Sequence, residues 1–153
     1  MNPRVFSRWS GFAAVTTFLA LTGAAHAQHG TPGGSATVRF QVTPLPSRGD
    51  APRARVSVVF EMTGAAPQTV ALREVTGQCS MLDTDQRGGG LGVLRCWWAG
   101  QGDQWKVERV RGEVVVSYAG LDESTPAGRE RYRVARRFRL PPGVPTAITV
   151  MGP

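Results

Sequence analysis

From Ser35 onward the chain alternates apolar and polar residues with a period of two, and this constrains the fold more than any other feature. Successive side chains of an extended strand point to opposite faces, so alternation describes a strand with one dry face and one wet face. Ala36, Val38, Phe40 and Val42 fall on one side of the first such segment, with Thr37, Arg39 and Gln41 on the other. The segment from Arg53 to Met62 repeats the scheme, with Val56, Val58, Phe60 and Met62 inward. Between them PLPSRGDAP is broken by proline and glycine and reads as a loop. Further strands are expected at residues 68–75, 93–98, 105–110, 113–119, 129–140 and 144–151. Arg111-Gly112 joins two of them as a tight hairpin, with the glycine at positive φ. No apolar pattern of helical period lasts for three turns. Eight short strands separated by turn signals predict an all-β fold, a small antiparallel β-sandwich or barrel.

The first 27 residues follow a different plan. Arg4 and Arg8 form a short positive stretch, Gly11 to Leu21 is uncharged and largely apolar, and Ala25-His26-Ala27 ends in the small residues a signal peptidase reads. This is the three-part secretory signal, with an apolar run too short to span a bilayer stably. Residues 1–27 are therefore expected to be a cleaved signal peptide, 28–34 a flexible leader, and 35–153 a single β domain. No cysteine precedes Cys79, so no lipid anchor is expected, and no second long apolar run offers a membrane span after cleavage. The expected product is periplasmic or secreted.

Export changes how the two cysteines, Cys79 and Cys96, read: an oxidising compartment lets them join as a structural disulfide. Redox pairs usually sit two residues apart, and these are far wider. An immunoglobulin-type domain would place a tryptophan between two distant cysteines, whereas here Trp97 and Trp98 follow the second one.

Several chemistries are missing by count. Of two histidines, His26 leaves with the signal and His29 lies in the leader, where no rigid scaffold holds it for nucleophilic catalysis. No cluster of ligands fits zinc, and Asp83-Thr84-Asp85 lacks the later oxygens of a calcium loop. Gly88-Gly89-Gly90-Leu91-Gly92 lacks the lysine and hydroxyl of a phosphate-binding loop. The chain is read as non-enzymatic, with no cofactor and no metal. A small hydrolase built from Asp83, Asp85, Asp122 and Glu123 is the least favoured reading.

The remaining signals concern binding. Seventeen of the 18 basic residues are arginine, and removing the two in the signal leaves 16 basic against 11 acidic residues, a net charge of +5. Arg129 to Leu140, RERYRVARRFRL, holds six arginines in twelve residues. Read as a strand, it places Arg129, Arg131, Arg133, Arg137 and Arg139 on one face and Tyr132, Val134, Phe138 and Leu140 on the other. Arg136 interrupts the apolar face, which suggests a bulge near Ala135-Arg136. The arginine face suits a polyanion such as lipopolysaccharide, an acidic glycan or nucleic acid, because the planar guanidinium makes paired bonds to phosphate or carboxylate; for an exported chain an envelope polyanion is the expected partner and nucleic acid is not. The bland alternative is a solvated face partly neutralised by Glu61, Glu108 or Glu113. The second candidate is Trp97 beside Arg95: with Leu94, Cys96 and Trp98 inward, Trp97 points outward with Val93 and Arg95. Together with the loop from Asp83 to Gly92 it could recognise a protein partner, as a hydrolase inhibitor or an assembly accessory. Trp105 reads as core.

Overall fold

The computed structural model describes residues 33–82, 90–125, 131–143 and 146–153. The expected signal peptide, most of the leader, Asp83, Asp85 and Arg129 lie outside these residues. Nine strands and no helix form among the described residues: β1 (Ser35–Arg48), β2 (Ala51–Met62), β3 (Gln68–Thr76), β4 (Gln78–Leu82), β5 (Gly90–Trp98), β6 (Gln101–Val110), β7 (Glu113–Asp122), β8 (Arg133–Arg139) and β9 (Ala147–Met151). They build two sheets, of order β3-β2-β1-β9 and β4-β5-β6-β7-β8. The all-β sandwich read from the sequence is the observed class.

Every neighbouring pair is antiparallel except β1 and β9, which run parallel from Ser35↔Ala147 to Arg39↔Met151. The core lies between the sheets. Val38, Phe40, Val56, Val58 and Phe60 meet Leu94, Cys96, Trp105, Val107, Val114, Val116 and Phe138, all nearly inaccessible to solvent. Phe60 and Phe138 stack across the interface with centroids 4.6 Å apart. Trp105 is core, as its alternation implies.

Two expectations about local structure change. The stretch PLPSRGDAP is not an open loop: β1 continues through Pro44 and Pro46 to Arg48, and only Gly49-Asp50 turns before β2 begins. Because β9 pairs only with Ser35 to Arg39, the far half of β1 has a free edge, where proline sacrifices no ladder bond. A strand missed by alternation, β4, follows β3 after Gly77 alone and carries the chain into the second sheet. Gly77 has φ +129°, its N–H donates to the Pro52 carbonyl at 2.8 Å, and a Cβ there would stand 2.5 Å from the Trp97 carbonyl oxygen. Only glycine fits this corner. Arg111 (φ 46°) and Gly112 (φ 78°) both adopt positive φ, the signature of a type I′ hairpin joining β6 to β7.

Candidate functional site

The disulfide forms between Cys79 and Cys96, which stand directly opposite one another on β4 and β5. Bonded cysteines are the chemistry of an oxidising, non-cytoplasmic compartment. No helix among the described residues is long and apolar enough to cross a membrane.

The arginine-rich strand β8 forms one edge of the second sheet. Its pairing with β7 runs Val116↔Arg136 and then Ser117↔Val134, so Ala135 is an extra residue and the strand bulges there. The bulge overturns the single arginine face. Arg137 and Arg139 pair with Val115 and Glu113 on the outer face, while Arg133 pairs with Tyr118 and Arg136 with Val116 on the inward side. Val134 is turned out in exchange and is 51% exposed. Tyr132, expected beside Phe138, instead accepts a hydrogen bond from Gln104 on the outer face, with the Lys106 ammonium 4.6 Å from its ring centroid. Arg131 is exposed just before the strand. Arg137 donates to Glu113 at 2.8 Å. For Arg131, Arg133, Arg136 and Arg139 there is no carboxylate partner among the described residues; Arg136 lies 6.0 Å from the Phe138 ring. Of the expected neutralising residues, Glu113 serves β8, whereas Glu61 pairs with Arg39 and Glu108 with Lys106.

Trp97 points outward, as alternation requires, but it is half-buried over Gly102, its cross-strand partner. A Cβ on Gly102 would meet the indole at 2.5 Å. Arg95 sits 6.0 Å from the Trp97 ring and donates to Gln104 at 2.9 Å, so both side chains of this pair are engaged within the sheet. The companion segment 83–89 lies outside the described residues. Trp98, expected in the core, is 38% exposed, because it stands at the end of its strand beyond the cover of the first sheet.

That uncovered end is a cleft with a volume of about 850 Å³. Its lining takes Tyr118, Asp103, Gly120, Trp98, Gln101 and Asp122 from the inner parity of the second sheet and Arg95, Trp97, Gly102 and Leu121 from the other parity. The inner face runs in successive cross-strand rows. Leu94, Trp105 and Tyr118 form one row, Cys96, Asp103 and Gly120 the next, and Trp98, Gln101 and Asp122 the last. Apolar residues give way to polar ones row by row. One wall is β3 from Arg73 to Thr76. The Tyr118 hydroxyl donates to Asp103 Oδ1 at 2.5 Å, Arg73 Nε lies 3.6 Å from the same oxygen, and the Arg73 guanidinium sits 5.1 Å from the Tyr118 centroid. Partial burial, then the hydrogen bond to Asp103 and the charge of that carboxylate, push the Tyr118 phenol above its ordinary range. Asp122 is held below the usual carboxylate range by the backbone N–H of Ser124, then by its hydroxyl.

Asp122, Glu123, Trp97, Trp98 and Arg95 are singled out in the sequence for other reasons, whereas Arg73, Gln101, Asp103, Tyr118 and Gly120 are not, although a signal for part of this set is present. Gln101 and Asp103 share parity with Trp105 and Val107, and Gly120 and Asp122 share it with Val114 and Val116. Polar residues on a core parity mark the place where the core stops.

The raised Tyr118 phenol gives a pH test. Protonated tyrosine is favoured in the folded state, so its contribution is full below about pH 10 and is lost as pH rises from there through the folded value. Urea midpoints taken at about pH 9 and about pH 11 should therefore fall more in the parent protein than in Tyr118→Phe. Parallel decline of both would mean that the Tyr118–Asp103 bond does not persist in solution. The chain matches no known family model, no curated protein and no solved structure.

Proposed function

We propose that the protein is an exported, non-catalytic binding protein, periplasmic or secreted, that attaches to an envelope polyanion through the basic edge of β8. The observation that carries this reading is the set of four exposed arginines on one seven-residue edge strand, of which only Arg137 has a carboxylate partner among the described residues. Because the bulge sends Arg133 and Arg136 to one side and Arg137 and Arg139 to the other, the strand presents guanidinium groups on both of its flanks. Such an edge suits a phosphate- or carboxylate-bearing chain lying along it more than a flat anionic surface. Charge on an edge strand also discourages sheet-to-sheet pairing, and only a binding assay separates the two roles. Protein recognition centred on Trp97 is the competing proposal; it is weakened by the indole's packing on Gly102.

The test is retention of the oxidised protein on lipopolysaccharide and heparin columns across a salt gradient. Removing Arg133, Arg136 and Arg139 together (each to Ser) should bring elution to much lower salt and reduce the slope of log affinity against log salt by about one per arginine that contacts the ligand. A control with Arg39, Arg53 and Arg55 changed to Ser alters net charge equally on the opposite sheet, where all three face glutamates. If the control loses as much retention as the β8 variant, net charge and not the strand is responsible. Weak, salt-insensitive retention of the parent would turn the search to Trp97.

A further inference from the structure

We propose that the open end of the sandwich is a saccharide-binding cleft with Trp98 as its stacking platform. The proposal stands apart from the role given to β8. A volume of about 850 Å³ lies within the usual range of small-ligand sites. Trp98 directly precedes the turn Ala99-Gly100, whose residues have φ of 48° and 80°, so its backbone is held at the end of a tight type I′ hairpin. An indole left 38% exposed on a concave wall is an apolar surface kept out of the core.

A pyranose ring has an apolar face of C–H groups and a rim of hydroxyls that both donate and accept. The first needs an aromatic face, and the second needs planar polar side chains of both kinds within reach. Beside Trp98 the same inner face supplies Gln101 and Asp122 in its own row and Asp103 in the row behind, with Arg73 on the opposite wall. Asp103 uses Oδ1 for Tyr118 and Arg73, and Oδ2 has no partner among the described residues. The charges around the cleft are only partly balanced internally, because Asp122 and Glu123 have no cationic partner among the described residues. Glu74 is bridged by Arg53 and Arg55, Asp103 faces Arg73, and Asp122 Oδ1 accepts from Ser124. Oriented carboxylate and amide acceptors bond sugar hydroxyls, and the unpaired Asp122 and Glu123 repel anions, so the site fits a neutral polyhydroxylated ligand better than an anionic one. Gly120 leaves the floor open: a Cβ there would meet nothing nearer than the Tyr118 hydroxyl at 3.5 Å.

The oxidised protein would be titrated with maltotriose, cellotriose, xylotriose and triacetylchitotriose, followed by tryptophan fluorescence and calorimetry. At least one sugar should bind saturably and shift the emission. Trp98→Ala should weaken that binding by about tenfold or more, and Gly120→Leu, which fills the floor, should do the same. Both variants should keep the parent circular dichroism, since Trp98 is exposed and Gly120 has room. The triple arginine variant of β8 should bind the sugar as the parent does. Failure of every sugar to bind, or equal binding by Trp98→Ala, overturns the cleft proposal. Sugar binding lost only in the β8 variant also overturns it, while leaving the polyanion reading intact.

Discussion

Phe138→Ala is expected to lower stability by about 4 kcal/mol, the range for emptying a buried phenylalanine site, and to shift the thermal midpoint by roughly 15 °C. Phe138 is almost inaccessible and stacks on Phe60 of the opposite sheet with an interplanar angle of 14°. It is also the one buried residue of β8, since its other six positions are exposed. As an edge strand, β8 has a ladder on one side only, so this ring is its chief anchor to the core. Loss of the ring should therefore release β8 before the rest of the sheet. Hydrogen exchange would show it, as lower protection of the amides of residues 133–139 than of the β6–β7 ladder. Phe138→Leu keeps most of the volume and should cost less than about 1.5 kcal/mol. A cost below about 1 kcal/mol for the alanine variant would mean that β8 is not docked through this ring.

The same strand shows what the sequence makes legible. Six arginines in twelve residues announce an unusual surface, and the clash of Arg136 with an apolar parity locates the bulge. The consequence of the bulge is harder to read. One added residue reverses the facing of everything before it, so Arg133 and Val134 exchange sides. The interior of the fold is legible where alternation is strict, as in Ala36 to Val42 and, apart from Val59, which is buried on the opposite parity, in Arg53 to Met62. It fails for β4, whose five residues include only half-buried Cys79, Met81 and Leu82 on the inward and edge positions. The parallel partnership of β1 and β9 depends on residues more than a hundred positions apart, which no local pattern encodes. The cleft was missed for a different physical reason. Its inner-face residues lie on core parities that no second sheet covers, so hydrophobicity no longer selects them.

Removing the disulfide is the second large effect. Cys79 and Cys96 are 17 residues apart, and closing a loop of that size stabilises by about 3 kcal/mol in the chain-entropy model. The bond does more here than restrict the unfolded chain. β4 is the other edge of the second sheet, paired only with β5, and the disulfide is its covalent tie in the row that continues through Asp103 and Gly120 of the cleft. Cys96 is fully buried, so alanine is the better replacement: serine would add a hydroxyl to the core. The double variant Cys79→Ala, Cys96→Ala should unfold at a midpoint roughly 10 °C lower, and reductant should bring the parent to nearly the same value while leaving the variant unmoved. Agreement between the two routes separates loss of the cross-link from side-chain effects. A parent that resists reductant only while folded would show that the bond is shielded by the core. A loss under about 1 kcal/mol by both routes would mean that the corner at Gly77 and the β4–β5 ladder hold this end unaided. At about 3 kcal/mol, against total stabilities of about 5–15 kcal/mol for small domains, the fold would depend substantially on an oxidising compartment.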